Sequence, residues 1–158
     1  AGITSCIPDN LNWSEKMERN SIRKILHRLD LERRQLMRPK FLALGLTVGE
    51  GQPRILDCLL DRGELTQREL ADLCMFDATT MSRTLDKMEQ AGLIQRNRNP
   101  ASRRSHLISL TEIGKEKGKL VREEFNWLDE ILQKGITKDE LETVYRILEK
   151  IEKNLTDL

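Results

Sequence analysis

The stretch Asp77 to Gly92, DATTMSRTLDKMEQAG, narrows the fold more than any other part of this chain. Asp77 is placed to accept from the free N–H groups two or three residues on, and Gly92 supplies the left-handed residue that commonly ends a helix. Met81, Leu85 and Met88 are spaced four and three apart, so they share one helical face. The other face carries Ala78, Thr79, Ser82, Arg83 and Lys87, small or hydroxylated residues first and long cations after them. Such a face suits a helix whose first turn approaches a polar, anionic surface. It describes a solvated amphipathic helix equally well, and the flanking segments decide between the two.

Upstream lies LTQRELADLC. Thr66 with Glu69 three residues on forms a capping box, and Leu65 with Leu70 can staple it. Leu70, Ala71 and Leu73 are expected to be the buried side of this short helix. Cys74-Met75-Phe76 then leads directly to Asp77. Two short helices joined by so brief a connection have the helix-turn-helix layout, although this turn holds no glycine.

Downstream, Leu93–Arg98 and Arg104–Leu110 flank Asn99-Pro100-Ala101-Ser102, a turn composition. His106, Ile108 and Leu110 alternate with Leu107 and Ser109, as a strand requires. A β-hairpin directly after the second helix is a wing. Arg96, Arg98, Arg103, Arg104 and His106 fall between Leu93 and Thr111 with no Asp or Glu among them. Elsewhere the chain balances its charges, with 34% charged residues and a formal net charge of +1. An acid-free window is therefore a local positive field. A solvated face is the bland account of it; beside a helix-turn-helix, phosphate binding is the better one.

The remaining segments are helical and need partners. Residues 1–10 read as a flexible lead-in. From about Leu11 to Met37 the chain is expected to be one helix, closed by Pro39, with Ile22, Ile25, Leu26, Leu29, Arg33 and Leu36 as its stripe. Pro53 suits a first turn, and Ile55, Leu56, Leu59 and Leu60 make a short apolar helix with Cys58 in or beside the core. Thr111 caps a helix running to about Gln133, with Ile113, Leu120, Val121, Phe125, Leu128, Ile131 and Leu132 on its inner side. Gly135 stops it. Thr137 and Glu140 form a second capping box, and Leu141, Val144, Leu148, Ile151 and Leu155 then repeat as a heptad seam. Terminal helices that cannot bury their stripes alone point to a homodimer.

These patterns exclude several classes. No apolar run approaches the ~18 residues of a membrane span, and the start carries no signal-peptide pattern. Cys6, Cys58 and Cys74 lack CxxC spacing, which argues against a disulfide framework or a zinc site and for a reducing cytoplasm. No metal or other cofactor is expected. With two distant histidines and no nucleophile motif or Gly-rich phosphate loop, an enzyme is not expected either.

Taken together, LGLTVGEGQPRIL, LTQRELADLC, DATTMSRTLDKMEQAGLIQR and RNPASRRSHLISLTEIGKE resemble the blocks of bacterial MarR-family transcriptional regulators, over nearly the whole chain. The resemblance implies a mostly α fold with a small β-hairpin wing. Residues 44–110 would be the winged helix-turn-helix, flanked by dimerisation helices at 11–43 and 111–158. It further implies a two-fold dimer on a pseudo-palindromic operator of double-stranded DNA, with regulation, as a repressor, open to a small aromatic effector. No effector-binding residue follows, though His27 and Arg23 lie on the first helix. The family's wing tip usually reads Asp-Pro-x-Asp-Arg-Arg. Here Asn99 and Ser102 replace both acids, and an Asx or Ser turn is the expected substitute.

Residue by residue, Arg83 is the candidate for bidentate contact with a guanine edge, its alternatives being an intrahelical pair with Asp86 or plain solvation. Thr79, Thr80, Ser82 and Lys87 accompany it, and Thr66 and the hydroxyls are candidates for phosphates. Arg98, Arg103 and Arg104 are wing contacts, with Arg96 nearer the domain. Cys6 lies where some relatives sense oxidants, but no neighbouring motif lowers its pKa. The rival function is a winged-helix module that serves protein partners and does not bind DNA specifically.

Overall fold

The computed structural model describes residues 21–47, 51–102 and 104–157. The chain divides near residue 48 into two compact units. The first is α1, Ile22–Ala43, capped by Ser21, whose side chain accepts from Lys24 N. It does not stop at Pro39, as expected, but runs through it. Proline forfeits one helical N–H, and the apolar turn Phe41-Leu42 continues past it. The stop comes where Leu44 N donates to the carbonyls of Lys40 and Phe41, and Gly45 takes a φ of 72°. Ile22, Leu26, Leu29 and Leu36 are all exposed. The expected lead-in at 1–10 and the first turns of the expected helix lie outside the described residues.

The second unit holds the reading head. Helix α2, Gln52–Arg62, has proline in its first turn and buries Ile55, Leu56 and Leu59. Its cap, Gly51, has a φ of 69°, and a Cβ there would meet Phe76 Cζ at 2.0 Å. Helix α3, Gln67–Cys74, starts from the expected Thr66–Glu69 capping box. Leu70 and Cys74 are its buried residues, while Leu73 is 48% exposed. Leu73 was expected inside, but it lies about 80° around the helix from the centre of the Leu70–Cys74 line. Met75 closes α3 in the left-handed conformation, φ 55°, taking the place a glycine usually fills.

Helix α4, Ala78–Gln90, begins at Asp77, and Gly92 follows with a φ of 70°. Met81, Leu85 and Met88 are fully buried as expected, joined by Thr84, whose hydroxyl donates to Thr80 O. Strands β2, Ile94–Arg98, and β3, His106–Leu110, form the hairpin. A further strand, β1, Leu65–Thr66, pairs with β3 through Leu65↔Ile108 and Thr66↔Leu107. The wing is thus a three-stranded sheet of order β1-β3-β2 rather than a bare hairpin.

Helix α5, Glu112–Gln133, is capped by Thr111 and packs along α2. Its inner line differs from the expected one. Gly114, Gly118, Val121 and Leu128 are buried, while Ile113, Leu120, Ile131 and Leu132 are exposed. Gly114 is needed because backbone approaches closely there, a Cβ meeting Leu93 O at 1.9 Å, whereas a Cβ on Gly118 would make an ordinary contact with Leu56 O at 3.5 Å. Arg122 fixes the pair, Nε donating to Asp57 Oδ1 at 2.8 Å and Nη2 to Asp57 O at 3.0 Å. Helix α6, Lys138–Thr156, has the second capping box and no buried residue.

The capping carboxylates make stability depend on pH. Bonds from Thr66 hold Glu69, and bonds from Thr137 hold Glu140, below their ordinary values. A depressed folded pKa gives stabilisation that is complete above the ordinary carboxylate pKa and lost as pH falls through the lowered one. Far-UV circular dichroism should therefore show helix content falling on acidification below that range. The fall should be shallower in Glu69→Gln/Glu140→Gln, which no longer titrates there; equal slopes would remove the caps from the account.

Candidate nucleic-acid interface

The first turn of α4 is held by Asp77, which accepts from Thr80 N at 2.8 Å and from Thr80 Oγ1 at 2.6 Å. These bonds keep the Asp77 carboxyl below its usual range. Thr80 is thereby committed to the cap. So is Thr66, whose hydroxyl donates to Glu69 Oε2 and accepts from Glu69 N. Thr79 and Arg83 remain exposed on the outer face, with Ser82 half-exposed beside them. Among the described residues no carboxylate pairs with Arg83, because Asp86, its expected rival partner, is engaged by Arg96. Lys87 is also exposed on that face.

The wing tip is built as its two substitutions require. Asn99 Oδ1 accepts from Ala101 N at 2.9 Å, and Ser102 N donates to Asn99 O. Ser102 Oγ accepts from Arg104 N at 3.3 Å. Both turns expected in place of the missing acids are present. Arg98 and Arg104 stand exposed with no carboxylate partner among the described residues, while Arg103 lies outside them. Arg96 is different. Its guanidinium bonds Asp86 Oδ1 at 2.6 Å and also Glu89 Oε2, and only 23% of its side chain is exposed. The wing's outer side is pinned as well, since Asn97 Nδ2 donates to Glu64 Oε1 and Ser109 Oγ, each at 2.9 Å.

Between α3, the start of α4 and the wing lies a cleft of about 790 Å³. Arg68, Arg104 and His106 line it over an apolar floor of Ala71, Phe76 and Ile108. Arg68 does not stand out in the sequence because it sits in a helix with Glu69 and Asp72; the fold brings it beside Arg104 and His106, with Asp72 lining the same cleft. Arg54 was missed too. Its Nη1 donates to Cys74 O at 3.0 Å and so satisfies the end of α3. Burial pushes the Cys74 thiol up to about 11 and raises that of Cys58, so neither is held as a thiolate at neutral pH. Cys6 is outside the described residues, and His27 is exposed on α1.

The model of the MarR family matches residues 50–106, from the entry of α2 to the start of β3. A HTH-type transcriptional regulator of Bacillus subtilis, YybA, is 30% identical over 116 residues, 73% of this chain and 76% of that protein. The chain belongs to the MarR family. Solved MarR-family structures share its fold. A regulator from Listeria monocytogenes complexed with a 26mer DNA superimposes with a TM-score of 0.79 at 25% identity, covering 87% of this chain and 91% of that one. The S. aureus MepR–DNA complex gives 0.78 at 22% identity, covering 86% and 99%. As a MarR-family transcriptional regulator, this protein has a mostly helical fold with a small antiparallel sheet. Among the described residues no helix is long and apolar enough to cross a membrane.

Proposed function

We propose that this MarR-family protein is a cytoplasmic repressor that binds duplex DNA as a homodimer at a pseudo-palindromic operator. One observation carries the reading: α4 and the wing present Arg83, Arg98 and Arg104 without carboxylate partners among the described residues, next to the Arg68–His106 cleft. Cations left unpaired in a chain that otherwise balances its charge are available to phosphates. In this reading α4 enters the major groove and Arg83 reads a guanine, with Thr79, Ser82 and Lys87 beside it. Arg98, Arg103 and Arg104 hold the backbone or the adjacent minor groove, and Arg68 adds a phosphate contact. Thr66 and Thr80 act through their caps, which aim the first turns of α3 and α4. The Listeria relative was solved with a 26mer DNA, which supports DNA binding as the role of the shared fold.

Dimerisation is supported by the faces that stay uncovered. Helix α6 buries nothing, and Val144, Leu148 and Leu155 lie exposed along one seam. We assign 44–110 to DNA binding, and 11–43 and 111–158 to the dimer. Repression then follows from occupancy of the operator, and a small aromatic effector would release it by changing how the two heads are spaced. The role is binding, with no catalytic step.

Salt dependence tests this directly. Arg68 and three wing arginines in each of two protomers predict that log K falls against log salt with a slope of about −7. Arg104→Ala should weaken all duplexes alike and flatten that slope by about 2, whereas Arg83→Ala should cost about 1–3 kcal/mol at one base pair of each half-site. A slope near zero in the intact protein would turn the wing into a surface for protein partners.

A further inference from the structure

Arg96 belongs to the acid-free window by sequence, yet its environment sets it apart from its neighbours. Arg83, Arg98 and Arg104 are exposed and without carboxylate partners among the described residues; Arg96 is mostly covered and spans two acids one helical turn apart. Asp86 and Glu89 are on α4, whereas Arg96 is in β2, opposite Ile108. A guanidinium placing one nitrogen on each of two carboxylates fixes both distance and rotation between the elements that carry them. The chain passes between them through the short turn around Gly92, closed by Gly92 N donating to Glu89 O and Leu93 N to Met88 O, and Arg96 adds a side-chain tie across the two elements. The three side chains together carry a net charge of −1, so the cluster does not attract phosphate.

We propose, resting on the DNA-binding reading above, that Arg96 is a positioning residue: a strut that locks the wing against the reading helix rather than a contact to DNA. The consequence is a sign that charge counting gets wrong. Removing two acids from a DNA-binding face should tighten binding by simple attraction, and it would also free Arg96 for phosphate. If Arg96 is a strut, the same change loosens the wing and weakens binding.

The experiment compares Arg96→Ala, Asp86→Ala/Glu89→Ala and the triple variant in the full chain, by hydrogen exchange without DNA and by binding to a random-sequence duplex. All three substituted residues are surface or partly exposed, and alanine favours helix at Asp86 and Glu89, so the fold is retained. Expected is faster exchange of the amides of 94–98 and 106–110 in all three variants to the same extent. Binding should fall about tenfold in each, with the triple no worse than Arg96→Ala, because residues acting as one unit are not additive. Unchanged exchange in the hairpin, or tighter binding by Asp86→Ala/Glu89→Ala, would overturn the strut. If the unaltered protein binds no duplex, the DNA reading fails, and the exchange rates still decide whether Arg96 braces the wing.

Discussion

In the homodimer proposed above, Leu148→Asp together with Ile151→Asp should separate the two copies and lower operator affinity about 10²–10⁴-fold. Both residues lie on α6, which buries none of its side chains within the chain. Placing charges on a seam that packs against a second copy costs several kcal/mol per buried, unpaired carboxylate. The affinity loss is large because the second half-site is no longer reached at the high effective concentration a dimer provides. Sedimentation and operator titration measure the two effects separately. A persisting dimer would move the interface away from α6; a monomer binding with undiminished affinity would remove the need for two copies.

The second large effect is at Gly114. In an exposed helix, glycine to alanine gains about 1 kcal/mol. Here the added Cβ would stand 1.9 Å from Leu93 O and 2.9 Å from Leu93 C. Leu93 is backbone, held because Thr111 N donates to its carbonyl and because it follows Gly92, so it cannot yield as a side-chain tip would. Overpacking of this kind costs about 1–3 kcal/mol and more where backbone must move, so the clash outweighs the propensity gain. Gly114→Ala is expected to lose about 2 kcal/mol and to lower the thermal midpoint. Gly118→Ala, whose Cβ would find ordinary contacts at 3.5 Å or more, should be neutral or stabilising. Equal midpoints for the two variants would refute the distinction.

What the sequence disclosed was local. Capping boxes at Thr66–Glu69 and Thr137–Glu140, the Asp77 cap and the Gly92 stop are each written within a few residues, and all are present. The Asx and Ser turns of the wing tip were legible for the same reason. Features set by distant partners were not. Strand β1 is two residues long, too short to carry alternation, and exists only because β3 lies alongside. The inner line of α5 is marked by glycines, which a search for apolar spacing passes over. Proline at position 39 looked like a stop, although one lost N–H does not outweigh a helix that continues to Ala43. In the candidate interface, composition located the arginines but could not say which were spent. Arg96 resembled the others until β2 was folded against α4, and Arg68 was hidden among the acids of its own helix.

The pair of hydrogen bonds from Arg122 to Asp57 has a geometric consequence. Helix α5 has 22 residues and is therefore about 33 Å long. Clamped to α2 near its middle, it cannot tilt alone; the reading head must turn with it. A rotation of about 10° about that clamp carries either end of such a rod some 3 Å, close to the ~3.4 Å rise of one DNA base pair. A lever of this length turns an angular change too small to disturb its packing into a shift of one step along the double helix.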